Sequence, residues 1–304
     1  MTVLIIIVVL LVLAFICGGL AFHMSIKRGG QNILPKNFKK QNKLPFRLDT
    51  TWLDGVAAED IYITSTDGLR LHAYLADLGS QKWAVICHGY TANAKCMSTF
   101  GEQYAAMGYN VLLVDARAHG KSEGKYIGMG WHECKDLLLW LEYLEQYYPG
   151  CQIILHGISM GGATVMMCSG QKQLPTSVKA IIEDCGYSSI WQEFSNLFRS
   201  NYHLPTFPIL YIASFWNRIF NGYWLRRDDS ISHLVSQSQT PMLFIHGEGD
   251  RLVPAWMLDE VYNAAKCEKV RLLIPDADHG KASVVAPELY WNTIKAFLAK
   301  YVSK

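Results

Sequence analysis

From Val3 to Phe22 the chain carries twenty consecutive apolar or small residues. At 1.5 Å per residue, a helix of that length runs about 30 Å, the thickness of a bilayer's hydrocarbon core. Such a helix would be apolar on every side, which predicts a membrane span rather than a core helix. A cleavable signal would show a positive start, a shorter apolar stretch and a small-x-small cleavage site. Met1-Thr2 supplies no cation, and Cys17 follows the bulky Ala14-Phe15-Ile16, a poor lipoprotein cleavage site. The expectation is a retained single-span anchor over residues 1–26.

Beyond residue 50 the pattern changes. Glu59–Thr64 and Leu69–Ala76 flank Thr66-Asp67-Gly68, a hairpin signal. Short apolar runs then recur at Trp83–Cys87, Val111–Val114, Ile153–Leu155, Ala180–Glu183, Met242–Ile245 and Val270–Ile274, as buried parallel strands do. Between them lie helical patterns: Trp131–Tyr148, stopped by Pro149-Gly150, and Pro287–Val302. This alternation predicts an α/β fold with a mostly parallel central sheet and helices on both faces, over residues 51–304. One stretch breaks it. Residues 187–225 hold twelve aromatics without a strand pattern, interrupted by Pro205 and Pro208, and predict an inserted helical cap spanning about 187–236.

Composition adds little until it is read by position. Half the residues are hydrophobic and the net charge is +2, which excludes a disordered chain and carries no nucleic-acid signal. Residues 27–47, however, hold seven cations and no acid, while 48–304 hold 21 basic and 26 acidic residues. With Gly29-Gly30, Pro35 and Pro45, residues 27–50 read as a basic linker. Positive charge beside a span stays cytoplasmic, which predicts that residues 23–304 lie inside the cell at the membrane. The helix and linker together make the lipid bilayer a partner. Eight cysteines show no paired spacing; Cys87 and Cys185 end apolar runs, as buried thiols do, with no disulfide frame or zinc site.

The chemistry begins at Ile153–Leu155, which runs into His156-Gly157-Ile158-Ser159-Met160-Gly161-Gly162 and then an apolar helical stretch. This is G-x-S-x-G between strand and helix, where a strained turn lifts a serine hydroxyl above the sheet edge. A serine needs a base, and the base an orienting acid. Asp250 follows the strand Met242–Ile245, and His279 follows Val270–Ile274. Ser159, Asp250 and His279 stand in the chain order that goes with such a turn. Glu248 and Asp184 compete for the acid; His119 competes for the base but precedes the serine in a turn. His72, His132, His203 and His233 read as surface or packing residues. Backbone amides of Met160, after the serine, and Tyr90, after Trp83–Cys87 and His88-Gly89, are the candidate oxyanion donors.

These pieces together resemble the α/β-hydrolase superfamily across roughly residues 55–302, in particular bacterial membrane-tethered serine hydrolases of the serine aminopeptidase-like and acyl-thioesterase-like kinds. The resemblance rests on His88-Gly89-Tyr90, Asp115 to Ser122, the Ser159 turn, Gly247-Glu248-Gly249-Asp250 with Val253-Pro254, and Asp278-His279-Gly280. It implies that Asp115–Ser122 is a structural turn without chemistry. The expected reaction is hydrolysis of an apolar or lipid-like small-molecule ester through an acyl-enzyme, with no metal or cofactor. Serine aminopeptidase and acyl thioesterase stand as alternatives, as does a catalytically silent ligand sensor. Glu183, Asp184 and Glu193 are the carboxylates available to an aminopeptidase.

Overall fold

The computed structural model describes residues 1–29, 50–227 and 230–303. Most of the expected basic linker, 30–49, lies outside the described residues. The elements are, in order, α1 (Thr2–Ile26), α2 (Thr51–Gly55), β1 (Glu59–Thr64), β2 (Arg70–Ala76), β3 (Lys82–Cys87), α3 (Ser98–Ala106), β4 (Asn110–Val114), α4 (Glu133–Tyr147), β5 (Gln152–Ile158), α5 (Met160–Ser169) and β6 (Val178–Asp184). They continue with α6 (Ile190–Asn196), α7 (Ile209–Asn221), α8 (Ile231–Val235), β7 (Met242–Gly247), α9 (Trp256–Ala264), β8 (Lys269–Ile274), α10 (Ala282–Val285) and α11 (Pro287–Leu298).

Eight strands form one sheet in the order β1-β2-β4-β3-β5-β6-β7-β8. Strand β2 runs antiparallel to both its neighbours, and β4, β3, β5, β6, β7 and β8 are mutually parallel. The parallel strands are Val/Ile/Leu-rich because both their faces are covered. Two apolar layers result. Val85, Leu112, Ile153 and Leu155 belong to the layer on α4 and α5; Ile86, Leu113, Ile154 and Ile182 belong to the layer on α3 and α11. Register brings Cys87, Gly157, Glu183, Asp184, Ile245, Gly247 and Ile274 to one edge. The chain segments after β3, β5, β7 and β8 therefore meet there.

Between β6 and β7 the chain leaves the sheet for α6, a short π-helical turn over Leu197–Asn201, α7 and α8, the aromatic-rich cap. Tyr187 and Tyr223 tie it down, donating from their hydroxyls to the carbonyls of Met129 (2.9 Å) and Gly128 (2.8 Å).

Helix α1 is long and apolar enough to cross a membrane, with a mean hydropathy of 3.3 over its best window. Its second half is docked. Gly18 and Gly19 lie against α7 so closely that a Cβ on Gly18 would come within 2.5 Å of the Ile212 side chain. Phe22 stacks near Tyr126 and Phe220 at centroid distances of 5.6 and 5.8 Å, and Ile26 is buried. The basic strip starts inside the fold. Lys27 bridges to Tyr126, the Arg28 amide donates to the Lys125 carbonyl (2.9 Å), and its guanidinium donates to the carbonyls of Ser122 (2.6 Å) and Gly120 (2.7 Å).

Candidate active site

Ser159 sits between β5 and α5 with φ 57° and ψ −115°, a backbone conformation in which a side-chain-bearing residue is strained. The surrounding glycines make that turn possible. A Cβ on Gly157 would lie 2.0 Å from the Gly161 carbonyl oxygen, and one on Gly161 would lie 2.1 Å from the carbonyl oxygen of Cys87. Strand, turn and helix approach closer than any side chain allows. The Ser159 amide donates to the Asp184 carbonyl (2.8 Å), fixing the turn to β6.

The Ser159 Oγ lies 2.8 Å from His279 Nε2, and His279 Nδ1 lies 2.7 Å from Asp250 Oδ2. The three side chains foreseen from separate strand ends thus form one continuous chain of hydrogen bonds. Asp250 is held from behind, its Oδ1 accepting from the amides of Leu252 and Val253, both at 2.9 Å. Burial pushes its carboxyl up, but His279 and His246 outweigh that and hold it down at about 2.

His246 escaped the sequence reading. It lies on β7, fully buried, with Nε2 2.9 Å from the Val253 carbonyl and 3.4 Å from Asp250 Oδ2. Burial alone would lower its pKa; the Asp250 carboxylate reverses that and raises it to about 9. The one signal for it was its position, four residues before Asp250 at a strand end, and period-2 patterning marks such a residue only as inward-facing.

The rivals go elsewhere. Asp184 accepts from the Tyr290 hydroxyl (2.8 Å), and burial raises its carboxyl to about 6. Glu248 is exposed. The ring nitrogens of His119 face the carbonyls of Arg117 (2.9 Å) and Tyr90 (2.6 Å). Asp115 binds the amides of Ala94 (2.8 Å) and Lys121 (2.9 Å), bracing the turn that runs to Ser122. His72, read as surface or packing, is buried between Asp115 (2.6 Å) and Asp60 (2.7 Å), an internal polar bridge.

The loop after β3 comes up to the serine: a Cβ on Gly89 would be 3.4 Å from the Ser159 Cβ. His88 braces this loop. Its Nδ1 bonds to the Gly89 carbonyl (2.8 Å), and its Nε2 accepts from the Ala116 amide (3.0 Å). That pattern requires the neutral ring, and burial, aided by His119, lowers its pKa to about 4. Tyr90 comes next, and its hydroxyl donates to the carbonyl of Ser25, in the last turn of α1. Met160 opens α5 directly after the serine. Cys185, buried and with φ 50°, has its sulfur within 4.8 Å of the facing atoms of Asp250 and His279. That group is the hydrogen-bonded pair His279 and Asp250 with one thiol beside it.

Comparison with known proteins agrees with this fold. A family model described as serine aminopeptidase, S33, matches residues 80–200. YqkD of Bacillus subtilis, an uncharacterised protein, is 27% identical over 238 residues, covering 78% of this chain and 77% of its own. The α/β-hydrolase domain-containing protein WAV2 of Arabidopsis thaliana is 25% identical over 284 residues, covering 88% and 85%. Among solved structures, the Pyrococcus furiosus esterase Pf2001 superposes with a TM-score of 0.67 at 25% identity, over 82% of this chain and 93% of its own.

Proposed function

Since the chain is a hydrolase of the α/β-hydrolase superfamily, we propose that Ser159, His279 and Asp250 form its catalytic triad and cleave an apolar, lipid-like ester at a membrane. The hydrogen-bond chain from Ser159 through His279 to Asp250 carries the reading. As Ser159 Oγ attacks the acyl carbon, His279 Nε2 takes the hydroxyl proton, and Asp250 steadies the imidazolium through Nδ1. The tetrahedral oxyanion is received by the amides of Met160 and Tyr90, the first at a helix N-terminus that favours negative charge. His279 then returns the proton to the departing alcohol. Water, activated by the same imidazole, releases the acid and restores Ser159.

An ester is favoured over an aminoacyl substrate by the state of the nearby carboxyls. A substrate ammonium needs an anionic partner, yet burial raises Glu183 to about 8 and pushes Glu193 well above the usual carboxylate range, while Asp184 is engaged by the Tyr290 hydroxyl. The likeness to the Pyrococcus esterase supports the same choice. Helix α1 serves as the membrane anchor, with the basic residues after it holding the catalytic part on the cytoplasmic side.

The full chain in lipid nanodiscs should hydrolyse p-nitrophenyl esters and be labelled by a fluorophosphonate on Ser159. Ser159→Ala should abolish both. Full turnover in that variant, or a folded wild-type protein that neither turns over nor labels, overturns the reading.

A further inference from the structure

Helix α1 is about 37 Å long, but Phe15 already touches Trp216 of α7 and from Gly18 onward the helix is packed against the cap, so the part that stands clear, Thr2–Ala14, is only about 20 Å. That falls about 10 Å short of a hydrocarbon core of about 30 Å. For α1 to span, the turns docked on α7 must themselves enter the lipid, and α7 must enter with them. The shortfall matches the 5–10 Å or so by which an interfacial amphipathic helix sinks.

Helix α7 is built for that position. Leu210, Ala213, Ser214 and Asn217 face the domain and are buried. Tyr211, Phe215 and Ile219, spaced four residues apart on one stripe, are each 42–53% exposed, and Phe220 beside them is 49% exposed. Phe207 and Trp224, just before and after the helix, continue the exposed surface. The stripe is continuous with α1 through Phe15 and Trp216, whose rings are 5.1 Å apart, and Trp216 and Phe220, stacked at 5.6 Å. Charge fits as well: from Phe194 to Arg227 the chain has four arginines and no acid, as suits an anionic leaflet. The candidate site lies at this end of the molecule, since Tyr90 joins the last turn of α1 to the loop that touches Ser159.

We propose that α7 lies in the lipid interface beside α1, seating the cap on the bilayer so that the Ser159 site draws its acyl substrate directly from the membrane. This rests on α1 being a retained span, and its substrate clause on the serine-hydrolase reading. A cleaved leader is a poor fit to α1, because its loss would bare the pocket that holds Phe22 and Ile26.

The test is photocrosslinking of the full chain in nanodiscs of phosphatidylcholine and phosphatidylglycerol, with p-benzoylphenylalanine in place of Phe215, Ile219, Leu10 or Tyr147 and lipid adducts read by mass. Tyr147 is an exposed control at the opposite edge of the sheet, next to Tyr148, which packs on Trp83 at the start of β3. Lipid adducts at 215, 219 and 10 but not at 147 are expected. Adducts at 10 with none at 215 or 219 overturn the seating of the cap and leave the anchor standing. Crosslinks from 215 or 219 to a second copy of the chain also overturn it. Absence at 10 overturns anchor and seating together.

A second readout addresses substrate entry. Phe215→Ser with Ile219→Ser should lower turnover of a bilayer-dissolved ester at least about tenfold, since two side chains that are about half exposed in the protein lose about half the gain of full burial. Turnover of a short water-soluble ester should stay unchanged. Equal loss on both substrates, or none on either, overturns the entry route. A wild-type protein inactive on both esters would instead overturn the hydrolase reading, while the lipid adducts still report the seating.

Discussion

The Tyr90 hydroxyl donates to the carbonyl of Ser25. That carbonyl lies one residue from the end of α1, where no later turn supplies an N–H, so Tyr90 satisfies a group the helix leaves orphaned. The same residue's amide is the proposed second oxyanion donor. One side chain therefore couples α1 to the loop against which the serine is set.

Tyr90→Phe is expected to keep the ring packing and lose the bond, costing about 1 kcal/mol of stability. Loosening the loop should lower kcat by about ten- to a hundredfold with little change in KM, as small misplacements of a transition-state donor do. Thermal unfolding and steady-state kinetics in nanodiscs read the two effects separately. Reduced stability with an unchanged kcat would confine the hydroxyl to a structural role.

Asp250 serves two histidines, and this separates it from Asp184. Asp250→Asn should leave the fold intact and lower kcat about 10⁴-fold, because the amide no longer holds the imidazole in its productive tautomer. Asp184→Asn should cost far less, within about tenfold, since that carboxyl faces Tyr290 rather than His279. A reversed order of the two losses would transfer the acid role to Asp184.

Stability should fall as pH rises from about 6.5 to 9, above the range where the lowered pKa values of buried His88 and His156 act in the opposite sense. Burial raises Glu133 to about 7 and Glu183 to about 8, and Asp250 raises His246 to about 9. Each of these groups binds its proton more tightly folded than unfolded. The stabilisation is therefore complete below the unfolded pKa values, about 4.3 for Glu and 6.5 for His, and is lost as pH climbs through the folded ones. Glu183→Gln mimics the protonated side chain and should flatten the decline above about pH 6.5 in a series of melting temperatures. A wild-type profile that rises over this range, or a variant as steep as the wild type, would refute the assignment.

Much of the sheet and the candidate triad could be read from the chain because both are written in local chemistry. Strand β1 coincides with the predicted Glu59–Thr64, β2 starts one residue later than the predicted Leu69–Ala76, and the other strands match their apolar runs, extended at one or both ends by one to three residues. The extensions, such as His156 to Ile158 on β5, carry glycine and polar residues that propensity assigns to turns but that the neighbouring strands recruit into the ladder. The serine turn was legible since only glycine tolerates contacts as close as those at Gly157 and Gly161. His246, His88 and the docking of α1 were not. The two histidines act through partners distant in sequence or through loop carbonyls, and composition assigns them no face.

The order of the strands, the glycine-flanked turn at Ser159, the placing of Asp250 and His279 as candidates after the last two strands, and a helix apolar enough to cross a bilayer were all legible in the sequence alone. Each comes from spacing along the chain and from the sterics of neighbouring residues. Only the tertiary structure decided which turns of that helix stand clear and which are held by the cap. A helix apolar on every side has no periodic signal to say which face packs; the choice is made by shape, where Gly18 and Gly19 let α7 come close enough to bury Phe22 and Ile26.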